Sequence, residues 1–296
     1  MSGLKEVRIR IASVKSTEQI TSAMKMVAAS KLRRAQNAIL KLRPYAAKLR
    51  EIMQNLSASA EDSSENEYTK VRKTERILLV VVTSNRGLCG AFNTNIIKLA
   101  VDRITNTYMA QNANHAVELV TIGKKATDFF RKRKYQVIDS WDDLFDSLTY
   151  ETVAPKASML MKLFADKKYD RIELIYNQFK NAAVQRQMIE QYLPLVPEKP
   201  EKQTNLHRVE ADYIFEPDKE TILQELIPKT LRIQLFKALL DSFAAEMGAR
   251  MTAMHQATEN ARQLLKDLRI SYNKARQNQI TREIIEIVSG AEALKG

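Results

Sequence analysis

The sequence has little of what would place the chain outside the cell or across a membrane. Cys89 is the only cysteine among 296 residues, which excludes an internal disulfide and favours a reducing compartment. The longest strongly apolar run, Ile77–Val82, is far shorter than the roughly twenty residues of a membrane-spanning helix. The first ten residues, MSGLKEVRIR, lack the apolar core of a signal peptide, so we expect a mature cytoplasmic chain.

Proline and glycine are scarce near the C-terminus. Between Pro228 and Gly290 there is no further proline and a single glycine, Gly248, so nothing in that span forces a helix to end. About sixty helical residues would extend roughly 90 Å at the usual rise per residue. That length is too great for one ordinary globular core, and it predicts a helix that pairs with another long element.

Apolar residues in this span recur at alternating steps of three and four, which is typical of a coiled-coil helix. The series runs from Leu223 to Ala275, and thirteen of its sixteen positions are apolar. A shifted register then follows, and this predicts that the last turns face a different surface. The residues of the shifted register are Ile280, Ile284, Ile287, Ala291 and Leu294.

The N-terminal segment has the same spacing and predicts a second long helix. Glu18, Thr21 and Lys25 interrupt its apolar series, and the neighbouring Ile20, Met24 and Val27 predict that the seam rotates there. Because a domain's length of chain separates the two helices, an antiparallel pair is expected. The apolar positions are Leu4, Val7, Ile11, Val14, Ala28, Leu32, Ala35, Ile39, Leu42, Ala46, Leu49, Met53 and Leu56.

Strands alternate with helices in the middle of the chain, which favours a mostly parallel sheet with helices on its faces. Strands are predicted at 77–82, 117–122, 135–138 and 171–176, and an antiparallel strand at 184–192. Helices are predicted at 92–110, 124–134 and 154–167. The fold class is therefore a long antiparallel coiled coil of N- and C-terminal helices with an inserted Rossmann-like α/β domain. The predicted parts are an N-terminal coiled-coil helix (1–56), a linker (57–75), the α/β domain (76–210), and a foot segment with the C-terminal helix (211–296).

The positive charge is concentrated at one end. Residues 1–56 contain twelve Lys or Arg and three acids, so they carry +9 of the formal net charge of +12. This excess indicates either a solvated helix face or a surface that meets an acidic partner, which could be protein, nucleic acid or anionic lipid.

No catalytic or ligand-binding arrangement is evident. The turn Ser84–Gly90 follows a strand but lacks both Gly-x-Gly-x-x-Gly and a lysine after its last glycine, so we interpret it as a tight turn without phosphate. His115, His207 and His255 have no second ligand at metal spacing. Cys89 has no identifiable base, and Asp142 and Asp143 beside Trp141 are typical of a surface turn. We therefore expect no cofactor, no metal and no active site.

Particular motifs resemble a known family. The segment Ile11–Arg34, the turn Arg86–Asn93 and a C-terminal series resemble the gamma subunit of the rotary, F-type ATP synthase, in the bacterial form. The resemblance spans the whole chain with the motifs in order, and Asn85 departs from it because the family commonly has Asp there. The C-terminal matches are Ala249–Met254, Ala257–Asn260, Tyr272–Asn273, Arg276–Gln277, Ile280–Thr281 and Glu283–Ile284.

The resemblance implies the central shaft of a rotary motor. In such a motor, ion-driven rotation of a c-subunit ring turns the shaft inside an alpha-beta hexamer. Rotation then drives the beta subunits through the conformations that make ATP from ADP and phosphate. The implied partners are the alpha, beta and epsilon subunits and the c ring, on the cytoplasmic side of the bacterial plasma membrane. The shaft itself would be a non-catalytic, peripheral subunit.

The resemblance also assigns contact residues by motif position. Those implied to contact beta are Met24, Lys25, Met26, Cys89, Arg276, Gln277, Thr281 and Glu283. Those implied to contact the c ring and epsilon are Tyr213, Ile214, Phe215 and Glu216.

Two other functions remain open from the residues alone. One is a basic coiled-coil protein that binds nucleic acid, although the basic helix lacks interleaved aromatics and a recognised nucleic-acid motif. The other is an enzyme housed in the α/β domain. A salt-dependent shift of a DNA or RNA probe would favour the first, and tight nucleotide binding to the isolated chain would favour the second.

Overall fold

The computed structural model describes residues 2–58, 67–195 and 219–293. Two long helices, α1 (Ser2–Ala58) and α6 (Lys219–Ala293), lie at the ends of the chain. Between them come β1 (Ile77–Val82), α2 (Phe92–Asp102), a π-helical turn (Arg103–Thr107), α3 (Met109–Ala113), β2 (Val117–Ile122), α4 (Lys124–Lys132), β3 (Val137–Ser140), a 3₁₀ turn (Asp142–Phe145), α5 (Tyr150–Ala165), β4 (Arg171–Phe179) and β5 (Gln185–Leu193). No helix in the described ranges is long and apolar enough to cross a membrane.

The chain divides into two compact units, and the divisions fall inside the long helices. The first unit comprises Met1–Ala29 and Arg250–Gly296, and the second comprises Ser30–Ala249. α1 ends and β1 begins on either side of the segment predicted as a linker, of which residues 59–66 lie outside the described part.

In the first unit the two helices pair in antiparallel orientation, as predicted. Arg8 contacts Tyr272, Glu18 contacts Arg262, Thr21 contacts Thr258, and Lys25 contacts His255. Partner numbers on α6 fall as numbers on α1 rise, which fixes the direction of pairing. The seam residues Met254, Ala261, Leu265 and Leu268 of α6 are buried, as their spacing indicates.

The predicted rotation of the α1 seam is wrong. Thr21 is buried and Glu18 and Lys25 are half-buried, whereas Ile20 and Val27 are each 57% exposed. The seam keeps its phase because its polar members find partners on α6. Thr258 Oγ1 donates to Thr21 Oγ1 at 2.9 Å, and Arg262 Nε lies 3.1 Å from Glu18 Oε1. A polar group can lie in an apolar seam when a partner satisfies it.

The second unit is built on a five-stranded sheet with the order β3-β2-β1-β4-β5. The first four strands are parallel, and β5 pairs with β4 in antiparallel orientation, as predicted. β1 lies at the centre, where both faces are covered, and all six of its residues are buried. Residues of α5 and α6 pack against one face, and residues of α2 and α4 against the other.

Several predicted element boundaries differ from the structure. α5 begins at Tyr150, four residues before the predicted start, because Thr149 and Thr152 form a reciprocal capping box. The predicted helix 92–110 is broken by the π-helical turn. The predicted strand 135–138 lies instead at Val137–Ser140.

A buried carboxylate anchors the π-helical turn to the sheet. Arg103 donates to both oxygens of Glu173 on β4 at 2.9 and 2.7 Å, and Tyr108 OH donates at 2.6 Å. Arg171 Nε lies 2.9 Å from the same carboxylate without hydrogen-bond alignment. Burial alone would raise the pKa of Glu173, but the hydrogen bonds from Arg103 and Tyr108 outweigh it and hold the pKa below its ordinary value.

We expect Glu173→Gln to lower the free energy of unfolding by roughly 3 kcal/mol at pH 7, because it leaves Arg103 and Arg171 without their shared counter-ion. Urea denaturation of the full chain measures this. The exposed Asp128→Asn, in the same unit, is the control and should have little effect. The deficit of Glu173→Gln should shrink as pH falls below 4.5, because the wild-type carboxylate then protonates first in the unfolded chain, where its pKa is ordinary, and only at lower pH in the folded chain. If Glu173→Gln loses as much unfolding free energy relative to wild type below pH 4.5 as at pH 7, the ionised carboxylate is not what stabilises this site.

Gly248 lets α6 approach the β4–β5 hairpin. A Cβ atom built at Gly248 would lie 3.2 Å from both the Cα and the carbonyl oxygen of Ala182, which are backbone atoms that cannot rotate away. A Cβ at Gly290, near the end of the same helix, would meet nothing within 4 Å. The two glycines of one helix therefore differ in whether a methyl group fits.

Gly248→Ala should destabilise the chain by about 1 to 2 kcal/mol, since overpacking against backbone exceeds the gain in helix propensity. Gly290→Ala is the matched control and should be neutral or stabilising by up to about 1 kcal/mol. Thermal unfolding of both variants measures the difference. Equal shifts of the two in the same direction would show that the hairpin does not restrict Gly248.

Candidate partner-binding surfaces

The first candidate surface lies on α1 at Met24–Met26, in the first unit. Lys25 faces the seam and lies 3.3 Å from His255 Nδ1, Met24 is half-buried, and Met26 is 66% exposed. Val27, beside it, is also exposed. Because the polar layer of the seam occupies the inner positions, the apolar side chains of this stretch point outward and are available to another protein.

The second candidate surface is the C-terminal end of α6, in the same unit. Arg276, Gln277, Thr281 and Glu283 are all exposed. The described members of the shifted apolar register, from Ile280 to Ala291, are exposed with them, in agreement with the prediction that these turns do not face α1. Its large exposed side chains, including two that the predicted register did not contain, are Ile280, Ile284, Ile285, Ile287 and Val288.

The structure does not bring these two surfaces together. Lys25 lies opposite His255, and Arg276 is 21 residues further along α6. At 1.5 Å per residue, roughly 30 Å of helix separates them. Between them Arg8 donates to Tyr272 OH at 3.0 Å, which lowers the pKa of Tyr272. The unit therefore has two separate candidate surfaces along one helical pair.

The third candidate surface is the turn after β1, in the second unit. The Cys89 thiol is buried against Phe92 and Ala245, and its sulfur accepts a hydrogen bond from Asn93 Nδ2 at 3.3 Å. The exposed apolar side chain of the turn is Leu88, at 66% exposure and with a φ of +63°. The family motif assigns the contact to Cys89, whereas the apolar side chain that this turn exposes is Leu88. An apolar residue at the tip of a glycine-bounded turn was a usable signal for that exposure.

Asn85 joins this turn to its neighbours. Its Nδ2 donates to the carbonyl oxygen of Asp142 at 2.8 Å, and its Oδ1 accepts from the backbone N–H of Lys124 at the start of α4. An aspartate at this position could accept the second bond but could not donate the first. The departure from the family motif thus has a structural use in this chain.

A shallow depression borders the same turn, between Gly87–Gly90 and the exposed Lys125 and Lys132 of α4.

Within the described ranges, no group of three or more His, Cys, Asp or Glu could hold a metal ion. Asp142, predicted in a surface turn, accepts a hydrogen bond from Thr127 at 2.9 Å. The predicted foot residues Tyr213, Ile214, Phe215 and Glu216 lie outside the described residues.

Comparisons with known proteins agree with this architecture. The fold resembles that of a chain in the cryo-EM structure of the Euglena gracilis mitochondrial ATP synthase rotor. The TM-score is 0.65 at 21% identity, over 94% of this chain and 99% of that one. A second Euglena gracilis structure, described as OSCP/F1/c-ring, gives a TM-score of 0.70 at 22% identity, over 99% of this chain and 95% of that one. At these identities the likeness shows the fold.

Sequence comparison shows the family. A family model described as ATP synthase matches residues 3–294. The chain is 55% identical to the ATP synthase gamma chain of Flavobacterium psychrophilum and 52% identical to that of Christiangramia forsetii, in each case over the full length of both proteins. The chain therefore belongs to the family of ATP synthase gamma chains.

Proposed function

We propose that the chain is the central rotor shaft of an ATP synthase. In this role it couples ion-driven rotation of a c ring to sequential conformational changes at beta-subunit catalytic sites. The observation on which this rests is the full-length identity to bacterial proteins named ATP synthase gamma chain. The antiparallel pairing of α1 with α6 supports it, because a paired helix resists bending better than a single one.

We propose that the shaft acts because its binding free energy differs between the conformations of the subunits around it. A shaft with unlike faces stabilises one conformation of a surrounding subunit more than another, and rotation changes which subunit meets which face. The first unit has the required asymmetry. The exposed Met26 and Val27 lie on α1, while the exposed isoleucines lie further along the pair, on α6.

We assign the partner contacts as follows. Met24, Lys25 and Met26, together with Arg276, Gln277, Thr281 and Glu283, would contact beta subunits. Because the Cys89 side chain is buried, contact at that turn would be made by its backbone and by Leu88. Tyr213, Ile214, Phe215 and Glu216 would meet the c ring and the epsilon subunit. Single exposed ion pairs contribute about 0.2 to 1 kcal/mol, so shape should matter more than any one charge pair.

The proposed location is peripheral, on the cytoplasmic side of a bacterial plasma membrane. We also propose the four-part division of the sequence at 1–56, 57–75, 76–210 and 211–296 as the functional one. In that division the terminal helices form the shaft, and the α/β domain and foot connect it to the ring.

The shaft function predicts an unequal subunit stoichiometry. When the chain is mixed with its cognate alpha and beta subunits, it should co-purify at one copy per three of each, and the complex should hydrolyse ATP. Quantitative mass spectrometry of the purified complex measures the ratio. Equal copies of the three chains would refute the proposal.

Met24→Lys should impair coupling more than assembly, because it adds a positive charge to a face that we assign to contact with beta subunits. We expect ATP-driven ion pumping per ATP hydrolysed to fall severalfold in vesicles with normal amounts of complex. Met24→Leu, which conserves volume without charge, is the control and should pump normally. Normal pumping by the Met24→Lys variant would show that Met24 does not make the contact with beta subunits that we assign to it.

A further inference from the structure

One face of α6 lies against β5 and the β4–β5 hairpin through residues that recur every seven positions. Gln234 Nε2 donates to Glu190 Oε1 on β5 at 2.7 Å. Two turns later on the same face comes Asp241, and two turns after that Gly248 meets the backbone of Ala182 in the hairpin. Asp241 therefore occupies the middle of this packed face.

The Asp241 side chain is buried. It is 4% exposed, and among the residues that the structure describes none hydrogen-bonds its carboxylate or forms an ion pair with it. A buried carboxylate of this kind is unusual, because burial penalises the charged form unless donors replace the lost water. The hydroxyl of the adjacent Ser242 is also buried and has no hydrogen-bond partner within the described ranges.

Charged groups face Asp241 from each packed element. Lys237 lies one turn earlier on α6, Arg43 faces it from α1, and Glu190 faces it from β5. Glu190 is fully engaged, since Tyr176 OH donates to its second oxygen at 2.7 Å. The two cations favour the ionised form of Asp241, while burial and the Glu190 carboxylate oppose it. Burial is the largest influence and raises the pKa of Asp241 to about 6.

We propose that Asp241 is a proton-binding site that makes the packing of α6 on β5 and its hairpin sensitive to pH. When Asp241 is neutral, the face from Gln234 to Gly248 contains no uncompensated charge and packs more tightly. When Asp241 is ionised, a charge lies buried in the middle of that face and loosens it. Neither state depends on the proposed rotary function, so the inference can be tested on the full chain alone.

The sign of the effect follows from proton linkage. A carboxyl whose pKa is about 6 in the folded chain and 3.8 when unperturbed binds its proton more tightly in the folded state. Its contribution to stability is complete below the unperturbed pKa and is lost as pH rises through about 6. Between pH 5 and pH 8 the unfolding equilibrium constant should rise about tenfold from this group alone.

The test compares Asp241→Asn with wild type by urea denaturation at pH 5 and pH 8. The unfolding equilibrium constant of Asp241→Asn should lack this roughly tenfold rise between pH 5 and pH 8. The ratio of the wild-type constant to the variant constant should therefore be about tenfold larger at pH 8 than at pH 5. Asp267→Asn, at an exposed position of the same helix, is the matched control and should keep the wild-type response. An asparagine variant with the wild-type pH response would overturn the proposal.

Two further measurements locate the effect. Hydrogen exchange at pH 8 should be slower in Asp241→Asn than in wild type for residues 234–248, and unchanged for residues 255–275. A uniform change would reject a local switch. If the variant fails to fold, NMR of wild-type chain labelled at aspartate carboxyl carbons decides. One resonance should titrate near pH 6, and titration of every aspartate below pH 5 would exclude the site.

Discussion

The polar layer inside the helical seam is the constraint on which the first unit depends. Glu18, Thr21 and Lys25 point toward α6, and each meets a partner there, at Arg262, Thr258 and His255. A shift of one turn would separate these pairs and place the hydroxyls among apolar residues. Apolar packing tolerates such shifts, whereas unpaired polar groups do not. The polar contacts therefore specify the register, and the apolar contacts supply the bulk of the association.

The same layer determines what α1 presents outward. Because three inner positions are polar, the apolar residues of that stretch, Ile20, Met26 and Val27, remain on the outer faces. A seam that rotated there would have buried them. The helical pair thus keeps an apolar outer surface beside its most polar inner section, and this arrangement suits a helix that must bind a second partner while holding the first.

Local spacing predicted the long helices, the alternating strands and the antiparallel fifth strand, since these depend on periodicity within a few residues. The polar seam was missed because its partners lie more than 200 residues away in the sequence. The π-helical turn was missed for a similar reason, as Arg103 is held by Glu173 on β4. Cys89 was identified by its motif, but only the packing of Ala245 and Phe92 shows that its side chain is covered.

Asp241 escaped notice because the sequence series followed a single face of α6. In the second unit this helix buries a second face against the sheet, through Leu231, Leu235 and Leu239. The density of apolar residues between Leu231 and Met247 exceeds the two per heptad of a simple coiled coil, and this was a usable signal. A helix buried on two faces has few solvated positions left, so an acid within it becomes buried.

The exposed isoleucines at the end of α6 also bear on the chain's life before assembly. They form an exposed apolar strip that favours association with other apolar surfaces, and its residues are Ile280, Ile284, Ile285, Ile287 and Val288. A newly synthesised chain without its partner subunits would aggregate through this strip. Matched synthesis of the companion subunits, or temporary shielding by a chaperone, would then be a condition for a good yield of soluble protein.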